Sequence, residues 1–82
     1  MNKTELIRIA NTYGMELTRN PITSEAWCYR LETNDYIDEL DKIADADPQE
    51  LLPCAATRED FGDWKVYTII FPTDWATLAG MR

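Results

Sequence analysis

The chain has 82 residues, fifteen acids against eight bases, no histidine, and a net charge of −7. That length makes one domain, 1–82, too small for a deep cavity, and an apolar fraction of 45% supports a packed core over disorder. The charge is lopsided: residues 1–31 carry three acids and four bases, whereas 32–63 carry eleven acids against Lys42 and Arg58. Such a segment repels phosphate, which argues against direct nucleic-acid binding and for a basic partner.

The first helix is expected over "NKTELIRIANTYG", where Leu6, Ile7, Ile9, Ala10 and Tyr13 recur at helical spacing. Asn2 is placed to cap it, Glu5 to complete a capping box, and Gly14 to end it. "MELTR" alternates, with Met15, Leu17 and Arg19 on one face. "AWCYRLE" alternates again, and "NPITSE" between them is turn material. Residues 15–19 and 26–32 therefore read as an antiparallel hairpin, with a helix through 24–32 as the competing assignment. Asn34 is expected to cap a second helix over 35–46, with Tyr36, Ile37, Leu40, Ile43 and Ala44 as its apolar stripe. Asp47 and Pro48 start a further helical turn, which Pro53 ends. "CAATR" is a strand candidate, and "EDFGD" is a turn pivoting on Gly62. "WKVYTIIF", apolar on both faces, is expected at the centre of the sheet. Thr73 caps a last helix, "DWATLAG", and Trp27 and Trp75 are assigned to the core. The order α-β-β-α-β-β-α predicts a two-layer α+β domain, its small, mainly antiparallel sheet covered by helices on one face.

No apolar run approaches the ~18 residues of a membrane span. The N-terminal apolar patch is broken by Arg8 and Asn11, unlike a secretion signal. The expectation is a cytoplasmic protein whose cysteines, Cys28 and Cys54, are reduced, buried and not bonded to each other.

Catalysis is poorly served. There is no histidine to act as a base near neutral pH. Ser24, the single serine, lacks the glycines of a nucleophile elbow, and neither cysteine has a histidine to make it a thiolate. Gly14, Gly62 and Gly80 are too scattered for a phosphate loop. Asp45, Asp47 and Gln49 alternate like a calcium loop, but Glu50 and Ala56 occupy the positions that need glycine and glutamate. The sequence predicts no enzyme, no metal site and no cofactor.

The carboxylates themselves remain. Asp35, Asp38, Asp41 and Asp45 line one edge of the second helix, with Glu39 beside them and Asp47 following. Like charges at this spacing cost a helix about 0.2–0.5 kcal/mol per pair, which Lys42 can partly offset by pairing with Asp38 or Glu39. Asp38 and Asp41 are both expected to face solvent, so reversing their charge should spare the fold. A second acidic group, Glu59, Asp60 and Asp63, surrounds Phe61 and Trp64. There Phe61 is expected to be exposed as an anchor and Trp64 to fold back over the sheet edge. The candidate partner-binding residues are Asp35, Asp38, Glu39, Asp41, Asp45, Asp47, Asp60, Phe61 and Asp63.

In size and in its acidic row, the chain resembles the small inhibitors encoded by phages and mobile elements, of the anti-CRISPR and anti-restriction type. The resemblance implies a non-catalytic protein acting in the bacterial cytoplasm. It would present carboxylates to a basic, nucleic-acid-binding surface of a nuclease or CRISPR effector subunit and inhibit it. An immunity protein or antitoxin against a basic toxin would use the same electrostatics. A structural or adapter domain would use its apolar faces instead.

Overall fold

The computed structural model describes residues 2–19 and 26–72. Seven elements follow in order: α1 Lys3–Thr12, β1 Glu16–Arg19, β2 Ala26–Thr33, α2 Asp38–Asp45, α3 Pro48–Leu51, β3 Ala55–Asp60 and β4 Lys65–Pro72. The strands form one antiparallel sheet in the order β1-β2-β4-β3, so the doubly apolar strand β4 is central, as its composition requires. This is the expected α+β architecture. The expected helix from Thr73, with Trp75, lies outside the described residues.

Local chemistry explains the ends of α1. The Asn2 side chain accepts from the Glu5 amide at 2.9 Å, and the return bond of a full capping box is not formed among the described residues. At the other end, Gly14 donates to the Asn11 carbonyl and Met15 to the Ala10 carbonyl at 2.9 Å. This is a Schellman motif, with Gly14 at φ +66° where a side chain would strain the backbone. Asp47 caps α3 through the Gln49 amide at 3.0 Å, with Pro48 at the first helical position.

β2 runs through 26–33 as a strand, which removes the helical alternative; its period-two pattern fits its place between β1 and β4. Two expectations for α2 change. It begins at Asp38 rather than 35, and Asn34 does not cap it. The Ile37 amide donates instead to the Tyr67 hydroxyl at 3.1 Å, so a bond from the central strand beneath stands where a local cap was expected. Thr33 takes the Asp35 amide at 3.2 Å, and the chain around Asn34 is held in a turn. Tyr36, assigned to the apolar stripe, is exposed.

One sheet face carries the helices. Leu6, Ile9 and Ala10 of α1, Leu40 and Ile43 of α2 and Leu51 of α3 pack on Tyr29, Tyr67, Ile69 and Phe71. Tyr29 and Phe71 meet edge to face at 5.7 Å. Trp27, half-buried on the same side, takes the Arg19 guanidinium at 5.1 Å from its ring centre. Each fully buried apolar side chain of this layer contributes about 1.5–3 kcal/mol. Cys28 and Val66 are buried on the opposite face, while Cys54 belongs to the helix-side core. The two thiols are thus free, buried and separated by the sheet, and burial pushes both pKa values up. No helix among the described residues is long and apolar enough to cross a membrane.

Candidate functional site

The acidic row on α2 divides into two halves. In its C-terminal half, Arg58 of β3 projects from the helix-bearing face beneath the helix. Its Nη1 donates to Asp41 Oδ1 at 2.8 Å, and its two terminal nitrogens each lie 3.3 Å from an oxygen of Asp45. These bonds, the one to Asp41 foremost, raise the guanidinium pKa. Asp41 Oδ1 also accepts from the hydroxyl of Tyr67 at 2.8 Å. Because that hydroxyl accepts from the Ile37 amide, one chain of bonds runs from the α2 N-terminus through the core to Arg58. Burial, the largest cause, raises the Tyr67 pKa.

Asp41 is therefore not a free solvent-facing residue. Its side chain is 21% exposed and that of Arg58 28%, and both are committed to each other. Glu39 is engaged as well. It accepts from the Tyr13 hydroxyl at 2.9 Å and lies 3.7 Å from Arg8, tying α2 to α1. Asp47 is occupied as the α3 cap. Among the described residues, Lys42 forms no ion pair with Asp38 or Glu39.

The N-terminal half joins the hairpin tip. Tyr36 donates its hydroxyl to Asp60 Oδ2, which raises the tyrosine pKa and, with help from the Gly62 amide at 2.9 Å, lowers that of Asp60. Lys65 is 5% exposed. It donates to the carbonyls of Asn34 at 3.0 Å and Gly62 at 3.3 Å, and its ammonium lies 4.2 Å from the centre of the Tyr36 ring. These contacts lock the turn before α2 onto the β3–β4 hairpin. The hairpin itself turns on Gly62 at φ +87°.

Two acidic segments far apart in sequence therefore meet at one end of the molecule. Asp35 and Asp63 are exposed in those segments and Asp38 is exposed at the start of α2, and among the described residues their carboxylates make no internal bond. Phe61 and Trp64, 53% and 44% exposed, lie against each other with ring planes tilted by 51° and ring centres 5.1 Å apart. Trp64 does not fold away, contrary to expectation; it shares the surface with Phe61. Sequence reasoning missed Tyr36, Arg58, Lys65 and Tyr67. Each acts through a long-range side-chain bond, which leaves no periodic trace. Comparison with protein-family models, with curated proteins and with solved structures finds no significant match to this chain.

Proposed function

We propose that this is a non-catalytic acidic binding protein, and that the end formed by Asp35, Asp38, Asp63, Phe61 and Trp64 receives a basic surface of a partner protein. The observation that carries this reading is the inward turn of Lys65. Lys65 spends its charge on backbone carbonyls and an aromatic ring, and Arg58 is held by Asp41 and Asp45, so the outer surface of the described residues there offers carboxylates around two exposed rings. Charge complementarity would speed encounter, and the desolvated rings would slow departure. A basic partner that ordinarily holds nucleic acid would be inhibited by occupancy of its groove.

The test is affinity capture from a bacterial lysate, repeated with Asp35, Asp38 and Asp63 together changed to lysine and, separately, with Phe61→Ala. Support is a basic protein whose affinity falls with the triple reversal and with rising salt, and which nucleic acid displaces. The Phe61→Ala variant should raise the dissociation rate with little change in salt dependence. A partner held at full affinity by the triple reversal would make these carboxylates a solvated face and leave the adapter reading in their place.

A further inference from the structure

β3 is an outer strand of the sheet, and its register fixes which of its backbone groups are used. The Phe61 amide donates to the Trp64 carbonyl at 2.9 Å, so Phe61 and Trp64 face each other as a hydrogen-bonded pair. With Glu59 opposite Val66, Thr57 opposite Thr68 and Ala55 opposite Ile70, these three residues bond to β4. Ala56, Arg58 and Asp60 then point their N–H and C=O groups away from the sheet, and no described strand pairs with them. The regular register contains no bulge and β3 contains no proline; its guards are charges, Arg58 pointing inward and Glu59 and Asp60 at its end, which deter chance pairing but not a basic strand. Six residues give roughly 20 Å of edge.

A second observation marks the same edge. The exposed large apolar side chains of the described residues are Tyr36, Leu52, Phe61 and Trp64. Three of these four flank β3 in the chain: Leu52, 67% exposed, precedes it, and Phe61 and Trp64 follow. Between these anchors the strand surface is graded, with the small residues Ala55 and Thr57 exposed at its start and Glu59 and Asp60 exposed at its end.

We propose that the partner enters as an extended basic segment that adds to the sheet beside β3. This rests on the reading of the acidic end and specifies how it is used. The outward groups of Ala56, Arg58 and Asp60 supply the ladder. Leu52 and the Phe61–Trp64 pair take apolar side chains at the two ends, and an arginine or lysine of the incoming strand lies against Glu59 and Asp63. The occupant is not a second copy of this chain. Antiparallel self-pairing that engages all three outward residues would set Arg58 opposite Arg58 of the other copy and bring together two chains of net charge −7.

Amide hydrogen exchange by NMR tests this on the unaltered protein. In the free protein, the amides of Ala56, Arg58 and Asp60 should exchange fast and those of Thr57 and Glu59 slowly. A short synthetic peptide of alternating valine and arginine should slow the first set by about tenfold or more, and the same peptide with glutamate in place of arginine should not. Semisynthesis by ligation at Cys54 can place N-methylalanine at position 56, removing one outward donor without altering a side chain. Peptide affinity should fall by about tenfold, the size of one lost hydrogen bond. Three results overturn the proposal: unchanged exchange at the three amides on binding, equal protection by the glutamate peptide, or protection that grows with protein concentration alone. If a captured partner is lost on reversing Asp35, Asp38 and Asp63 while these amides stay unprotected, strand addition fails and the acidic binding surface stands.

Discussion

Asp38 and Asp41 sit one helical turn apart on α2 and carry the same carboxylate, yet they stand in opposite relations to the molecule. Asp41 accepts from both Tyr67 and Arg58 and, with Asp45, closes a bridge between α2 and β3. Asp38 has no internal bond among the described residues and is exposed at the first residue of α2. Two carboxylates at i and i+4 repel by a few tenths of a kcal/mol, and the guanidinium between Asp41 and Asp45 offsets that. A row of acids at helical spacing is thus two things: a structural clasp at one end and an unspent charge at the other. The cost of an acidic helix argues for an external partner only where no internal cation relieves it.

The sharpest test of this contrast is charge reversal on each side. Asp41→Lys sets a cation against Arg58 and strips the Tyr67 hydroxyl of its acceptor. It should lower unfolding free energy by about 3 kcal/mol in urea melts. Tyr67→Phe keeps the packing but removes the link between the Ile37 amide and Asp41, and should cost about 1–2 kcal/mol in the same measurement. Asp38→Lys should stay within about 0.5 kcal/mol of the parent. If Asp41→Lys were as mild as Asp38→Lys, the division of the row would be wrong.

The tyrosines sharpen it further. Tyr13, Tyr29, Tyr36 and Tyr67 all have pKa values raised above their ordinary 10.0, by hydrogen bonds to carboxylates at Tyr13 and Tyr36 and by burial at Tyr29 and Tyr67. A raised folded-state value stabilises the fold fully below the unfolded value and is lost as pH rises through the folded one. Stability should therefore decline as pH climbs past about 10, and absorbance titration should find every tyrosine ionising late. Tyr67→Phe should remove one late titration and soften the alkaline decline.

The smallest effect belongs to the hairpin tip. Asp60 has its pKa lowered by the Tyr36 hydroxyl and the Gly62 amide, so its stabilising contribution is present above the ordinary carboxylate value and lost as pH falls through the lowered one. Tyr36→Phe should move the Asp60 midpoint back up in an NMR titration of the carboxyl carbon. An unmoved midpoint would mean that Tyr36 does not hold the turn against the hairpin in solution.

How much of this was readable in the sequence follows the range of each interaction. The hairpin of 15–19 and 26–32, the Asp47–Pro48 helix start and the Gly62 turn were legible, because period-two alternation, a cap and a pivot glycine act within a few residues. The centrality of β4 was legible because strands buried on both faces are apolar on both. The start of α2 was not, because Tyr67, thirty residues away, takes the amide that a local cap would have taken. Nor was the division of the acidic row, since nothing in "DYIDELDKIAD" announces that Arg58 will lie beneath its second half. For the site, the sequence supplied the acids and Phe61, and the fold decided which were already spoken for.

Cys28 and Cys54 lie on opposite sides of one sheet and are chemically alike, which makes them a matched pair of clocks. A thiol reagent reaches Cys54 when the helix layer lifts and Cys28 when the other face opens; loss of the whole fold exposes both together. Equal labelling rates would mean that the domain opens as one unit. Unequal rates would reveal which face yields first, and whether the clasp of Asp41, Tyr67 and Arg58 governs the timing of one side alone.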